Sequence, residues 1–479
     1  MQKKFLTNLA FLLLLNFLIK PFYIFGIDRT VQNVVGATDY GLYYALVNFT
    51  FLFNIILDLG ISNFNNRNLA QNQHLLTKHF SGIIMLRLLL AAVYFLITLS
   101  IGVFIGYGID HLPFLLLLLL NQVIISFILY LRSNLTGLHL FRTDSIISVL
   151  DRLLMIIICG TLLWGNFTET TFKIEWFVYA QTASYSFTLI VALGIVAVKA
   201  KFHRLHWNPL FLLVVMKQSY PFALLILLMT FYSKIDSVML ERMLSNGATQ
   251  AGIYAQAFRI LDAVNIVAYL FAGLLLPIFA RMLKLKERVD NLIKLSFTLL
   301  FVPAVTFAIV SLFYSKEIMD LLYNSHIEES SLVYSILMLS FIATCTTYIF
   351  GTLITAHGNM RKLNITAAIS VVLNFGLNLL LIPRYGASGA AFASVLTQFS
   401  SAVAQVILSK YLFNLAVKLK FLLTLVGFTV GIVLITYLAK LLLDDWLLSI
   451  FIIIIFSLIT AIVSGIWKVK EFYTIIKEK

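Results

Sequence analysis

Residues 447–467 read LLSIFIIIIFSLITAIVSGIW, a run without one charged side chain. An α-helix rises about 1.5 Å per residue, so a run of this length crosses the roughly 30 Å hydrocarbon core of a bilayer. Residues 421–438 and 113–131 repeat the pattern. Over all 479 residues 61% are apolar and only 12% charged, where a soluble domain carries roughly half and a quarter. A membrane β-barrel would show alternating segments of about ten residues, and the sequence has none. The composition therefore defines an all-α integral membrane protein.

A window pass along the chain predicts about 14 transmembrane helices, among them 8–27, 41–62, 363–382 and 388–409. Lys3 and Lys4 before the first run imitate a signal peptide. Asn16, Lys20 and Pro21 interrupt that run and no small-residue cleavage site follows, so it is read as a retained first helix. An even number of spans puts both termini on one side. With that side cytoplasmic, inner segments collect about 22 lysines and arginines and outer segments 6, the bias that orients membrane proteins. The expected location is the bacterial inner membrane, with both termini cytoplasmic. The same bias accounts for most of the net charge of +14 without a nucleic-acid partner.

Cys159 and Cys345 fall in apolar stretches and are expected to be buried packing residues, with no disulfide and no metal site. Glu317, Asp320, Glu328 and Glu329 form the one acidic cluster, read as a solvated outer loop. No external loop is long enough to fold a catalytic domain, which disfavours a membrane glycan polymerase or glycosyltransferase. The chain is expected not to be an enzyme.

One phrase occurs twice. GATDYGLYYA at 36–45 returns as GATQAGIYAQ at 247–256, 211 residues later. LTGLHLFRTDSI at 135–146 has a looser echo in ITAHGNMRKLNI at 354–365. The chain reads as two six-helix lobes, 1–205 and 206–415, followed by a terminal helix pair with its tail, 416–479. A repeat with an even number of helices preserves topology, so the lobes are related by a pseudo-two-fold axis along the membrane normal. Transporter sites form at such repeat interfaces. Gly36, Gly41, Gly247 and Gly252 are read as hinge or structural residues, with Thr38 and Thr249 as candidate helix caps. Near the end of the second lobe, Pro383 is expected to end a helix and Gly386 to make the turn. Gly389 then opens a small-residue packing face with Ala390 and Ala393.

Charged residues inside spans cost about 2.5–3.5 kcal/mol each on insertion scales, so they mark cavities or partners. Lys20, Arg87, Arg152, Lys234 and Arg259 are the candidates for a cationic lumen that binds substrate. Asn48, Asp58, Asp236, Asp262, Asn374 and Asn378 are the candidates for its polar lining and for ion coupling. Plainer readings stand beside these: Arg132 and Arg87 snorkel to the surface, and Asp151–Arg152 and Arg259–Asp262 are structural ion pairs. Lysines and arginines outnumber aspartates among the intramembrane charges. That sign suits an anionic cargo carrying phosphate or acidic sugar.

The repeated phrase, KIDSVMLERMLSNGATQAGIYAQAFRIL at 234–261, AHGNMRKLN at 356–364 and IPRYGASGAAFASVLTQ at 382–398 together resemble the bacterial oligosaccharide flippases. These exporters of O-antigen and capsule repeat units belong to the superfamily that includes multidrug and toxin exporters and the lipid II flippase. The resemblance extends over essentially the whole chain. It implies two lobes in a V and translocation of an undecaprenyl-pyrophosphate-linked oligosaccharide to the outer leaflet by alternating access, for surface polysaccharide biosynthesis. It further implies coupling to a proton or sodium gradient, with Asp58, Asp236 and Asp262 as titratable candidates and no other cofactor. The implied partners are that lipid-linked oligosaccharide, membrane lipids and the glycan polymerase machinery. An ion-coupled exporter of drugs or organic cations on the same scaffold is the alternative; Lys20 in the first helix and the positive balance weigh against it.

Overall fold

The computed structural model describes residues 14–16, 18–62, 65, 69, 72–165, 171–201, 209–415 and 419–467. Lys3, Lys4, Arg67, Arg204, Lys418 and the tail lysines from Lys468 onward lie outside the described residues. From Leu14 a helical run passes through a π-helical turn at Tyr23–Asp28 into α1 (Arg29–Leu52), followed by the short α2 (Ile55–Asp58). Next come α3 (Leu75–Phe104), α4 (Leu112–Gly137), α5 (Phe141–Trp164), α6 (Ile174–Ala200) and α7 (Pro209–Met243). The chain continues through α8 (Gly247–Lys284), α9 (Asp290–Phe313), α10 (Ser315–Leu322), α11 (Ile327–His357) and α12 (Met360–Phe413). It closes with α13 (Leu419–Leu442) and α14 (Trp446–Val463). Two compact units divide within α8, Met1–Gly252 and Ile253–Lys479; the lobe division expected from the repeat falls at 205/206.

Among the described residues 12 helices are long and apolar enough to cross a membrane, where about 14 spans were expected. The difference lies in two helices of 45 and 54 residues, Leu14–Asp58 and Met360–Phe413. At about 1.5 Å per residue each is at least twice the thickness of the hydrocarbon core. Each breaks at a glycine, Gly36 (φ 86°, ψ 167°) and Gly386 (φ 55°, ψ −134°), and the first also turns at Phe53–Asn54. Positive φ at these angles is open to glycine and strained for other residues. The loop expected over 28–40 is thus helical on both sides of Gly36. Pro383 lies inside α12 rather than ending a helix, and the break falls at Gly386 as expected. A methyl group on Gly389 would collide with the Leu381 carbonyl, so the two arms of α12 approach too closely there for any larger residue.

In the first unit α3, α4 and α6 pack through Phe80, Leu86, Leu90, Ile128, Leu131 and Val196. Leu88, Leu89, Leu96 and Phe104 of α3 are exposed, while Thr98, Asn121, Ser126 and Asn134 are buried. Polar side chains inside and leucines outside are the arrangement that lipid selects, because only the interior offers hydrogen-bond partners.

In the second unit the terminal pair packs on α9. Val302, Val305 and Ile309 meet Phe428, Ile432 and Ala461, and a buried hydrogen bond of 2.6 Å joins Thr306 and Ser457.

Cys159 and Cys345 are buried and free, as expected. Arg132 does not snorkel: its guanidinium makes two bonds to Asp144, of 2.7 and 3.3 Å. Asp144 opens α5 beside the end of α4, and a paired carboxylate at that range outweighs extension to the interface. The acidic cluster sits partly on the short helix α10, with Glu328 and Glu317 paired to Lys316 (3.5 Å) and Lys440 (3.4 Å). Among the described residues no group of three His, Cys, Asp or Glu side chains is placed to hold a metal ion.

Candidate functional site

Arg152 of α5 lies between two aromatic rings. Its guanidinium is 4.6 Å from the ring centroid of Tyr23 and 5.8 Å from that of Tyr185 on α6, and Nη1 donates to Tyr185 Oη at 3.2 Å. Asp151 stands 3.7 Å from Nε. Lys20, three residues before Tyr23 on the first helix, faces the same group and is repelled by Arg152 and Arg132 and attracted by Asp151. Asn16 ties that helix to α5 by donating to Ser148 Oγ at 3.3 Å.

The charges around this cluster can be followed pair by pair. Arg132 is paired with Asp144 and Arg152 with Asp151, and Lys20 adds a further positive charge from the first helix. The Arg152 side chain retains 29% of its exposure and Lys20 is half-buried. Aromatic faces on both sides hold the guanidinium plane in place. The arrangement can donate charge-assisted hydrogen bonds to phosphate or carboxylate oxygens, at an angle fixed before the anion arrives. Tyr23 and Tyr185 were not singled out in the sequence, because two tyrosines 162 residues apart carry no local signal there.

Arg87 belongs to a different network. It is buried, and Nη2 bonds Asp58 closely and Ser62 Oγ at 2.8 Å, while Nη1 bonds the carbonyl and hydroxyl of Ser126 at 3.0 and 2.8 Å. Tyr130 lies 4.8 Å beneath it. Every polar direction but Nε is taken by protein, so Arg87 joins α2, α3 and α4 and does not snorkel. Asp58, its partner, also accepts from Ser62 Oγ at 2.5 Å.

The other candidates lie elsewhere. Asn48 of α1 donates to Ser237 Oγ of α7 at 2.8 Å, beside the buried Asp236 and half-buried Lys234. Gln181 donates to Tyr43 Oη at 2.7 Å. At the end of α7 Glu241 and Arg242 pair with each other, and Tyr107 donates to Glu241 at 3.1 Å. Burial and then that carboxylate push the Tyr107 phenol well above its usual range. In the second unit Arg259 and Asp262 are half-buried on α8, and Asn378 donates to Asn374 at 3.1 Å inside α12, both fully buried.

The two copies of the repeated phrase pack on each other. Thr38 and Thr249 do not cap helices; their hydroxyls share a hydrogen bond of 2.9 Å. A methyl group on Gly41 would overlap the Ala248 carbonyl, and one on Gly252 would overlap the Ala37 carbonyl. Ala37 and Ala248 are counterparts in the phrase, as are Gly41 and Gly252. The contact is therefore self-complementary about a local two-fold, the signature of paired copies. Gln32 Nε2 closes it by donating to the Gly252 carbonyl at 3.0 Å. Gly247 packs against the Leu240 and Glu241 carbonyls at the turn between α7 and α8.

The described residues thus form a chain of helices of membrane-spanning length in which two copies of a glycine phrase meet about a local two-fold and arginines lie among aromatic rings. Residues 5–283 match the model of a family described as polysaccharide biosynthesis proteins, and the chain belongs to that family. Its fold is that of several solved transporters. The lipid II flippase MurJ in an inward closed conformation superposes with a TM-score of 0.73 at 14% identity, over 94% of this chain and 97% of that one. An inward-facing multidrug resistance MATE family transporter of the MOP superfamily gives 0.60 at 14% identity, over 82% and 94%. A MOP superfamily transporter from Pyrococcus furiosus, titled for the reverse polarity of its binding pocket, gives 0.57 at 15% identity, over 85% and 95%. No curated protein sequence matches the chain.

Proposed function

We propose that this protein moves undecaprenyl-pyrophosphate-linked oligosaccharide repeat units from the cytoplasmic to the outer leaflet of the bacterial inner membrane, for O-antigen or capsule synthesis. The observation that carries this reading is the Arg152 guanidinium held between Tyr23 and Tyr185, with Lys20 on the helix that Asn16 ties to α5. A pyrophosphate is the part of such a lipid that needs cations. Membership of a polysaccharide biosynthesis family and a fold shared with a lipid II flippase support the same cargo class.

In this proposal both termini are cytoplasmic, transport proceeds by alternating access, and the product passes to glycan polymerase machinery. Lys234 and Arg259 are further candidate cations for that cargo. A proton or sodium ion drives it through Asp236 or Asp262, since Asp58 is committed to Arg87.

The test uses proteoliposomes loaded with fluorescent lipid-linked oligosaccharide. The wild type should externalise it, and Lys20→Gln and Arg152→Gln should each slow it at least tenfold. Wild-type rates in both variants would remove the phosphate-binding role. Drug resistance on expression, with no externalisation of lipid-linked glycan, would assign the chain to the exporters.

A further inference from the structure

A cavity of about 520 Å³ opens in the second unit where α9, α11, α12 and α13 converge, a size within the roughly 300–1,000 Å³ of small-ligand sites. Its walls change character with depth. Arg288, Lys294 and Lys410 stand at the helix ends, just before or within the first turns of α9 and in the last turn of α12. Phe297, Phe350 and Leu425 lie further along the spans, with Phe297 6.2 Å from Phe350 and 6.5 Å from Phe421 between ring centroids.

Three cations meet one carboxylate, Asp290, so the mouth has a surplus of two positive charges. Among the described residues none of the three cations takes part in an ion pair. Lys294 lies over the Phe421 ring at 5.2 Å, which places an ammonium directly above the apolar chamber. The lysine and arginine distribution assigns this end of the helices to the cytoplasmic side, where basic pockets between helices meet anionic headgroups.

The geometry points to a binding site for an anionic phospholipid, its headgroup phosphate on Arg288, Lys294 and Lys410 and the start of one acyl chain on the phenylalanines. A free phosphate satisfies the cations and leaves the aromatic chamber unused. An apolar compound fills the chamber and leaves three cations unpaired. A lipid with a net negative headgroup uses both, at the depth where its phosphate and its first methylenes lie in a bilayer. Bound there it braces α13 against α9. The site lies in the other unit from Lys20 and Arg152 and stands whatever cargo the protein moves.

Native mass spectrometry of the full-length protein, in detergent micelles doped with equimolar phosphatidylglycerol and phosphatidylcholine, tests this. The wild type should retain phosphatidylglycerol in preference. Each of R288Q, K294Q and K410Q should lower that retention by about fivefold, the effect of one cation near an anionic lipid surface. Leu422→Trp, which fills the chamber and keeps all three cations, should lower it as well. Millimolar inorganic phosphate should leave the adduct in place, and K362Q, a cation of α12 outside the cavity, should leave retention unchanged.

Undiminished retention in the R288Q/K294Q/K410Q triple variant overturns the proposal. So does displacement by inorganic phosphate, which marks a free-anion site. Equal loss in K362Q indicates diffuse attraction and has the same consequence. Preferential uptake of undecaprenyl phosphate over phosphatidylglycerol would give the site to the cargo lipid instead.

Discussion

The hydroxyls of Thr38 and Thr249 are hydrogen-bonded at 2.9 Å, and each occupies the same place in its copy of the repeated phrase. Around them Gly41 and Gly252 let the backbones of α1 and α8 touch, and any Cβ would force them apart. Replacing both threonines by cysteine should therefore allow a disulfide, since neighbouring side chains at this range meet its geometric limits. Oxidation should give an intramolecular cross-link, seen as a mobility shift that reductant reverses, and should arrest transport if the contact opens during the cycle. Gly41→Val should lower the melting temperature by several degrees, whereas Gly194→Val, at a position with open space, should not. Failure of the cysteine pair to cross-link would contradict the contact.

Arg87 is buried with its charge met by Asp58, whose side chain is 25% exposed. Removing the carboxylate leaves a charge inside the helix packing, a loss that typically costs about 3–5 kcal/mol. Asp58→Asn should approach the lower end of that range in denaturant unfolding, because water reaches the Asp58 side. An apolar double replacement, Arg87→Met with Asp58→Leu, should recover most of it. If the double variant is no better than the single, the pair is not the source of the effect.

Tyr23 and Tyr185 hold the Arg152 guanidinium between them, and each such contact is worth about 0.5–2 kcal/mol. Tyr23→Leu should weaken cargo binding by about two- to thirtyfold on that scale, with Tyr23→Phe close to wild type because the ring remains. Arg152→Lys should stay impaired, since an ammonium neither stacks nor forks. Equilibrium binding of the lipid-linked oligosaccharide in detergent measures all three.

Tyr107 lies between spans, where burial and Glu241 raise its phenol above the ordinary value near 10. The folded protein keeps that proton at pH values where the unfolded chain has begun to lose it. The stabilisation is fully present below about pH 10 and is lost as pH rises further. Melting temperature should therefore fall less steeply above pH 10 in Tyr107→Phe than in the wild type, with a small offset at neutral pH from the lost bond to Glu241. Parallel curves would show that Tyr107 does not contribute.

The class and the repeated phrase are legible because both are local properties. Apolar runs of bilayer length, such as 447–467, and positive loops between them define a membrane chain wherever they occur. Gly386 was read correctly as a turn from its neighbours alone. Residues 28–40 read as a loop, yet one glycine turns the chain at Gly36 with helix on either side, and no composition window marks a one-residue break. Arg132 reads as a surface residue from its own helix alone, because its partner Asp144 belongs to the next one.

The sequence by itself determined the solvent of this protein, its helical class, its repeat and the sign of its intramembrane charge. Only tertiary structure decided which of those charges remain available. Arg87 and Arg152 look alike in sequence, each an arginine within an apolar helix. Yet Asp58 and Ser126 consume the first, and Tyr23 and Tyr185 present the second beside Lys20. Partners 29 to 132 residues away in the chain make that distinction, and a local pattern does not encode them. A charge's worth in a membrane depends on what stands within a few ångströms of it, because no water is present to level the differences.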